Sequence, residues 1–158
     1  MPSEVFETLK NCDLFASLTE EELQIITTEA STSWKVDDFK TGDNIFEQGQ
    51  HSTRLFVIAD GQVLLERSLN VGDRSSPWPL GMLGKGRAMG WSALFFGPRS
   101  LSASAICQKP TRMISIEGSA LRAILEKHPQ IGFKIMDRLA YMLGERLQAA
   151  YNTVEANL

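Results

Sequence analysis

The sequence predicts an α+β fold in which a β jelly-roll barrel is flanked by N-terminal helices and a long C-terminal helix. Helix-start signals and helical periodicity occupy both ends of the chain, whereas glycines punctuate short apolar runs between them. With 158 residues, the chain is long enough to bury the core of one domain. We therefore predict a single domain, residues 1–158, made of N-terminal helices (1–32), the jelly roll (33–117) and C-terminal helices (118–158).

The first helix signal lies near the N-terminus. Thr19 is followed three residues later by Glu22, which is the spacing of a capping box. In that motif the threonine hydroxyl and the glutamate carboxylate each accept a hydrogen bond from an otherwise unpaired backbone N–H. The signal predicts a helix from about Glu20 to Ala30, and a shorter helical piece over Ser3–Asn11 precedes it.

The middle of the chain has the texture of β-structure. Nine of the twelve glycines lie between Gly42 and Gly97 and separate runs of strand length. These runs are SWKVDDF, NIFEQ, RLFVIA, QVLLERS, LGML, LSASAIC and RMISI. Many short strands with glycine turns are typical of a sandwich or barrel of the jelly-roll type.

Three local patterns in this region make specific predictions. The Asp60-Gly61 pair between two apolar runs predicts a tight-turn hairpin. The irregular segment Asn70–Pro79 predicts a surface loop between two strands. The alternation in LSASAIC places its apolar residues on one strand face: Leu101, Ala103, Ala105 and Cys107.

The C-terminal part is helical. The segment Glu117–His128 predicts one helix, capped by Gly118 or Ser119. Pro129 breaks it and suits the first turn of a second helix that runs to about Val154.

The second of these helices carries two apolar stripes. The first stripe consists of Ile131, Ile135, Leu139 and Met142. The second consists of Met136, Ala140, Leu143, Leu147, Ala150 and Val154, and has coiled-coil spacing. One stripe can pack on the barrel and the other predicts a homodimer through the 130–154 helix; the alternative is a helix lying in a groove of its own domain.

Composition excludes several classes of function. The net charge is -3 and no basic run occurs, which argues against a large nucleic-acid footprint. No apolar run approaches the roughly 20 residues that span a bilayer. The acidic N-terminus lacks the pattern of a signal peptide. These features predict a cytoplasmic protein without membrane contact.

The residues that carry catalysis or metal binding are sparse. Cys12, Cys107, His51 and His128 are all isolated in the sequence, so we expect reduced packing thiols, no metal site and no cofactor. The segment Gly84–Gly90, GKGRAMG, misses the dinucleotide-binding spacing by one residue and is no Walker loop. No nucleophile elbow or H-E-x-x-H motif is present. The sequence therefore predicts a protein that is not an enzyme.

The segment Phe39–Glu66, FKTGDNIFEQGQHSTRLFVIADGQVLLE, closely resembles the opening half of the cyclic nucleotide-binding domain family. The family pattern F-x-x-G-D-x-I-F-x-x-G…L-F-V-I-x-x-G-x-V matches at Phe39, Gly42, Asp43, Ile45, Phe46, Gly49, Leu55 to Ile58, Gly61 and Val63. The segment Met89–Ala105, MGWSALFFGPRSLSASA, then falls where that family keeps its phosphate-binding cassette. The resemblance covers about Leu14 to Val154, and it implies the jelly-roll fold and a sensor role.

The resemblance also implies a binding site. In the family, a short helix after a glycine points its free N–H groups at the cyclic phosphate, and an arginine farther along pairs with the phosphate oxygens. The matching positions here are the helix start Gly90, Trp91, Ser92 and Ala93, the arginine Arg99 and the hydroxyl of Ser100. Members that bind the nucleotide well usually have a glutamate for the ribose 2′-hydroxyl where this chain has Trp91.

These residues imply a stand-alone sensor that binds cAMP or cGMP and signals through its C-terminal helix to a dimer partner or another protein. Regulators such as the catabolite activator add a helix-turn-helix, but this chain ends at Leu158, so DNA binding is not expected. One alternative is a ligand-free dimerisation or protein-interaction module in which Trp91 fills the sugar site and Arg99 is a surface or ion-paired residue. Another is a different anionic ligand, since an anion grip does not require a purine.

Overall fold

The computed structural model describes residues 2–95 and 100–158. The helices are α1 (Pro2–Lys10), α2 (Glu20–Glu29), α3 (Gly118–Lys127) and α4 (Pro129–Ala156), with short 3-10 turns at Asp13–Phe15 and Trp91–Leu94. The strands are β1 (Lys35–Phe39), β2 (Asn44–Phe46), β3 (Arg54–Asp60), β4 (Gln62–Val71), β5 (Arg74–Gly84), β6 (Ala88–Met89), β7 (Ser104–Cys107) and β8 (Thr111–Glu117). Helices thus stand at both ends of a β-region, as the sequence predicts.

The described strands form two four-stranded antiparallel sheets. Their orders are β1-β8-β3-β6 and β2-β7-β4-β5. Strand β8 pairs with both β1 and β3, and β7 pairs with both β2 and β4, so most pairings join strands that are far apart in the sequence. This is the predicted jelly roll, and the α+β fold class is confirmed.

The sheet that contains β3 and β8 has apolar residues on both faces. On one face, Leu55 and Ile114 belong to a core cluster that also contains residues of all four helices. On the other face, Ile58 and Met113 join a second cluster between the two sheets. The predicted apolar face of LSASAIC is buried, and three of its four residues belong to this second cluster: Leu101, Ala105 and Cys107, with Ala103 buried beside them in the sequence.

The two cysteines are buried, unoxidised members of these clusters. Cys12 lies in the cluster beside the helices and Cys107 in the cluster between the sheets. Burial raises the pKa of each thiol and keeps it neutral. Both side chains serve as small packing groups, as predicted.

The predicted hairpin at Asp60-Gly61 is wrong. Strands β3 and β4 meet at this turn, but they belong to different sheets and do not pair. Gly61 has φ 118°, and a Cβ at this position would lie 2.4 Å from Thr111 Oγ1. The glycine therefore forms a corner at which the chain passes from one sheet to the other.

The predicted loop at Asn70–Pro79 is also wrong. Strands β4 and β5 form a long hairpin whose turn is Gly72-Asp73, with Val71 opposite Arg74. Pro77 and Pro79, which make the segment resemble a loop, lie on β5 at the edge of its sheet. A proline is tolerated at an edge because no neighbouring strand needs its missing N–H.

Helix α2 begins as predicted, whereas helix α3 begins with a different cap. The capping box of α2 is confirmed, since the Glu22 N–H donates to Thr19 Oγ1 at 3.2 Å and the Thr19 N–H donates to Glu22 Oε1 at 2.9 Å. The predicted cap of α3 is wrong, because the N-cap is Glu117 at the end of β8. The helix begins directly after the strand, so Gly118 is already its first residue.

Helix α4 places its two predicted stripes differently. The first stripe faces the domain, with Ile131, Ile135 and Leu139 buried. The second stripe is divided, since Met136 and Leu143 are partly buried and pack on the domain's own core.

Among the described residues, no helix combines the length and apolar character needed to cross a membrane.

The apolar side of α4 that remains exposed is shifted relative to the predicted stripe. We call it the outer stripe, and it consists of Phe133, Ala140, Gly144, Leu147, Tyr151 and Val154. Its members are separated by three, four or seven residues, and these spacings place the positions along one side of a helix. The divided stripe arises because the elements that pack on α4, among them α3 and the 3-10 turn Asp13–Phe15, cover a wider arc of the helix than four positions suggest.

Glu22 links two helices, and its carboxylate should make stability depend on pH. Its carboxylate accepts from Lys134 Nζ of α4 at 2.6 Å, and this bond, followed by the bond from the Thr19 N–H, lowers the pKa of Glu22 below its ordinary 4.5. A lowered pKa contributes stability that is present above 4.5 and is lost as the pH falls below it. We expect Glu22→Gln to lower the free energy of unfolding by about 1 kcal/mol near neutral pH.

The measurement is denaturant unfolding of wild type and variant as the pH is lowered. The difference between them should shrink as the pH falls through the acidic range below 4.5. Glu21→Gln, an exposed neighbour in the same turn, is the control and should stay near the wild type. A Glu22→Gln difference that is independent of pH would contradict the assignment.

Candidate functional site

The site begins at a sharp turn after strand β6. Gly90 has φ 74° and ψ 22°, a left-handed conformation that favours glycine. A Cβ at this position would also lie 2.8 Å from the carbonyl oxygen of Arg54. Both facts require a glycine here, and the turn directs the chain into the 3-10 turn Trp91–Leu94.

Helix α3 holds this 3-10 turn in place. A Cβ on Gly118 would lie 2.0 Å from the Ala93 carbonyl oxygen, so the first residue of α3 touches the turn backbone directly. The Arg122 guanidinium donates to the Leu94 carbonyl oxygen, and the Leu94 side chain is fully buried. Two contacts from α3, made by Gly118 and Arg122, therefore fix the backbone of the turn, and the sequence motif reveals neither of them.

A cavity of about 470 Å³ opens beside the turn. Its wall consists of Phe46, Leu65, Met89, Gly90, Trp91, Ser92, Phe95, Ser100, Leu101, Ser102, Ala103 and Arg146. The volume lies within the range of small-molecule sites, about 300–1,000 Å³. The lining mixes apolar and aromatic side chains with three serine hydroxyls, which suits a ligand with a flat apolar part and several polar atoms.

The fold brings four of the six predicted site residues to one cavity. Gly90, Trp91, Ser92 and Ser100 line the cavity together. Ala93 lies in the same turn but does not line the cavity, and its N–H donates to the Gly90 carbonyl oxygen at 3.1 Å. Arg99 lies outside the described residues.

Ser100 reaches the cavity because its neighbours bond to the loop after β2. His51 and Ser100 form an isolated antiparallel bridge. The Leu101 N–H donates to the Gln50 carbonyl oxygen at 2.8 Å, and the Gly49 N–H donates to the Leu101 carbonyl oxygen at 2.9 Å. These bonds fix the side of the cavity that faces the 3-10 turn.

The orientation of Trp91 could not be predicted from the sequence. Its ring is partly buried against the core cluster beside the helices, and its indole Nε1 is buried with no hydrogen-bond partner among the residues that the structure describes. The guanidinium carbon of Arg146 lies 4.9 Å from the centroid of the ring. Trp91 therefore forms part of the cavity wall, with the open volume beside it.

Arg146 is the site residue that the sequence motif misses. It lies on α4, far along the chain from the cassette, and no motif marks it. One signal could have found it, because the spacing of Ile135, Leu139 and Met142 continues to position 146. The side of α4 that packs on the domain therefore ends in a charged residue beside the cavity.

The electrostatics of the cavity favour binding over catalysis. Within the described part of its wall, Arg146 is the one ionisable side chain and no carboxylate is present. Desolvation, followed by the charge of Arg87, lowers the pKa of Arg146, yet a guanidinium stays charged near neutral pH. The first N–H groups of a helical turn lack partners within the turn and favour an anion. The wall is thus suited to bind an anionic ligand.

Comparison with known proteins agrees with this reading of the fold. The family model described as "Cyclic nucleotide-binding domain" matches residues 36–128. A CRP-like cAMP-activated global transcriptional regulator of Mycobacterium tuberculosis is 29% identical over 118 residues, which cover 74% of this chain and 49% of that protein. The chain thus spans about half the length of the curated relatives it matches.

Two solved structures share the architecture. The catabolite activator protein of Thermus thermophilus is 26% identical with a TM-score of 0.72, over 91% of this chain and 62% of that one. A cyclic nucleotide-binding domain from Methylobacillus flagellatus is 21% identical with a TM-score of 0.76, over 99% of this chain and 84% of that one, and shows the fold alone. Because the family model covers more than half of the sequence, this chain belongs to the cyclic nucleotide-binding domain family, a family of non-enzymatic regulatory domains, and resembles the sensor domains of CRP-like regulators.

Proposed function

We propose that this chain is a sensor domain that binds cAMP or cGMP in the cavity beside the 3-10 turn. The observation that carries the proposal is the open volume of about 470 Å³ next to Trp91, lined by Gly90, Ser92 and Ser100 of the cassette. A regulatory domain that binds such a nucleotide fits a cytoplasmic location.

The cyclic phosphate lies against the start of the 3-10 turn. The left-handed Gly90 lets the backbone approach the ligand closely. The first N–H groups of the turn favour a negative charge, whereas the Ala93 N–H already donates to the Gly90 carbonyl oxygen. Arg99 forms a bidentate, charge-assisted pair with the phosphate oxygens, and Ser100 adds a hydroxyl. The apolar part of the wall, including Phe46 and Leu65, accommodates the base.

Trp91 lowers the affinity but does not abolish binding. An indole offers one donor and no acceptor, so the ribose 2′-hydroxyl loses the charge-assisted bond that a glutamate provides. Such a bond is worth about 1.5–3 kcal/mol, or roughly ten- to a hundred-fold in affinity. Trp91 forms part of the cavity wall and leaves the cavity open beside its ring. This supports weak nucleotide binding and not a pocket that the ring blocks.

The test is calorimetry with cAMP and with cGMP. Wild type should bind at least one of them, and Arg99→Leu should weaken binding by about ten-fold or more, because the bidentate pair is lost. Arg74→Leu is the matched control, since Arg74 is exposed at the β4–β5 turn. Absence of heat with either nucleotide up to millimolar concentration would contradict the proposal.

The missing carboxylate favours a second candidate, a ligand-free interaction module of the same fold. Within the described wall of the cavity no acidic side chain can accept from a ribose hydroxyl. Trp91→Glu separates the two candidates. If wild type binds neither nucleotide and Trp91→Glu binds one, the tryptophan is what prevents nucleotide binding. The chain then functions as the ligand-free interaction module.

We also propose that helix α4 carries the signal and joins two copies of the chain. The outer stripe leaves Phe133, Leu147, Tyr151 and Val154 more than half exposed on one helix. Burial of such apolar surface is worth about 25 cal/mol per Å². Small residues at Ala140 and Gly144 allow a second helix to approach closely, which supports a homodimer through the 130–154 helix.

A further inference from the structure

A second cavity, of about 300 Å³, lies between α4, the 3-10 turn Asp13–Phe15 and the segment that precedes β6. Its polar lining consists of Asp13, Arg87, Arg138, Tyr141, Glu145 and Arg146. Within the described residues, Arg146 is the one side chain that this smaller cavity shares with the larger one, and no member of the outer stripe lines it. The smaller cavity is therefore separate from both the proposed nucleotide site and the proposed dimer surface.

Arg87 and Arg138 line the smaller cavity from two different parts of the fold. Arg87 Nε pairs with Asp13 Oδ2 at 2.9 Å, and Arg138 Nε donates to the Asp13 carbonyl oxygen at 2.9 Å. The guanidinium carbon of Arg138 also lies 5.2 Å from the centroid of the Tyr141 ring. These contacts hold both guanidiniums without using their terminal Nη groups, which meet no acceptor in the described part of the chain. Two positioned cations thus keep donors for a ligand.

The charges of this wall favour an anion, although the chain as a whole carries a net charge of -3. The wall contains three guanidiniums and two carboxylates, which leaves one positive charge in excess. The Asp13 carboxylate is already engaged, since Oδ2 pairs with Arg87 and Oδ1 accepts from the Leu14 N–H at 2.7 Å. Glu145 is exposed, so solvent and salt screen its charge. Desolvation, followed by the charge of Arg87, lowers the pKa of Arg146, and a bound anion would offset this repulsion between cations.

We propose that the smaller cavity is a second anion site, which binds a small, doubly charged oxyanion of the chemistry shared by phosphate and dicarboxylates through Arg87 and Arg138. A planar guanidinium matches two oxygens of such a group, and two guanidiniums match its double charge. The volume of about 300 Å³ lies at the lower end of the range for small-molecule sites and suits a ligand smaller than a nucleotide. This site does not depend on the proposed function, because Arg87 and Arg138 do not line the larger cavity.

Anion binding joins segments that are far apart along the chain. Arg138 belongs to α4 and Arg87 precedes β6, and the two meet at Asp13. Because only the folded chain brings them together, the anion stabilises the fold once its concentration exceeds its dissociation constant. Binding should therefore also raise the unfolding temperature.

Calorimetry with inorganic phosphate, at an ionic strength held constant with sodium chloride, tests the site. The wild-type chain should show saturable binding of one anion. Arg87→Gln and Arg138→Gln should each weaken binding by about ten-fold or more, and Arg138→Lys should restore part of the loss because it keeps the charge but not the planar group. The matched control is Arg74→Gln at the exposed β4–β5 turn, which should change the affinity by less than about two-fold. Unfolding midpoints without anion first establish that each variant is folded.

Titrations with pyrophosphate and with succinate distinguish the two sources of the oxyanion. Tighter binding of phosphate or pyrophosphate than of succinate, by about ten-fold or more, would assign the site to phosphorylated ligands. The reverse order would assign it to dicarboxylates. Either order supports the site, provided that the binding is lost in Arg138→Gln.

A crystal of the wild-type chain soaked in sodium tungstate locates the oxyanion through its anomalous scattering, whatever the variants do to the fold. Tungstate between Arg87 and Arg138 is the expected result. Tungstate only at the 3-10 turn Trp91–Leu94 would overturn the second site and agree with the anion role of the proposed function. Absence of saturable binding of all three anions up to about 10 mM, or wild-type affinity in both glutamine variants, would also overturn it and leave the proposed function standing.

Discussion

Gly118→Ala is expected to destabilise the domain by about 2–3 kcal/mol and to weaken cyclic nucleotide binding with it. The new Cβ would lie 2.0 Å from the carbonyl oxygen of Ala93 and 2.6 Å from its carbonyl carbon. Both atoms belong to the backbone, so no side-chain rotation relieves the overlap. The 3-10 turn has to move away from α3, and the cavity wall moves with it.

Denaturant unfolding measures the loss of stability, and calorimetry measures the loss of binding. Gly144→Ala is the matched control, because a Cβ at Gly144 meets no atom within 4 Å. In the interior of a helix this control should stabilise the monomer by about 0.5–1 kcal/mol. Equal unfolding curves for Gly118→Ala and wild type would show that α3 does not hold the turn.

Leu147→Glu is expected to convert a dimer to a monomer without loss of the domain's own stability. Leu147 is 53% exposed on the outer stripe, so a charge there is solvated in the monomer and desolvated only in a dimer interface. Leu143→Glu should behave differently. Leu143 is partly buried against the domain's own core, and a charge at that position destabilises the fold.

Light scattering over a range of protein concentrations measures assembly, and thermal unfolding measures the fold. Gln148→Glu adds the same negative charge one residue along, off the outer stripe, and should keep the dimer. A wild-type protein that is monomeric at every concentration would refute the proposed seam.

The local signals of the sequence predicted the elements well. The capping box at Thr19 and Glu22 and the alternation from Leu101 to Cys107 depend on neighbouring residues, so their consequences are visible without the fold. Two of the wrong predictions depend on how the strands pair. Asp60-Gly61 resembles a hairpin until β3 and β4 are found in different sheets, and Asn70–Pro79 resembles a loop until its prolines are found on an edge strand.

The site likewise has one part that local sequence predicts and another that it does not. Gly90, Trp91, Ser92 and Ser100 are close in the sequence, and the fold places them around one cavity. The direction of the Trp91 ring and the presence of Arg146 result from the packing of α4 on the cassette. That packing joins segments that are far apart along the chain, so the spacing along α4 indicates the side of the helix on which Arg146 lies but not its contact with Trp91.

The most direct test of the cyclic nucleotide proposal is a crystal structure grown with saturating cAMP or cGMP. We predict density for the nucleotide in the cavity, with its phosphate at the start of the 3-10 turn within hydrogen-bond distance of Arg99 and Ser100. A structure in which the Trp91 ring closes the cavity and no nucleotide is bound would contradict it.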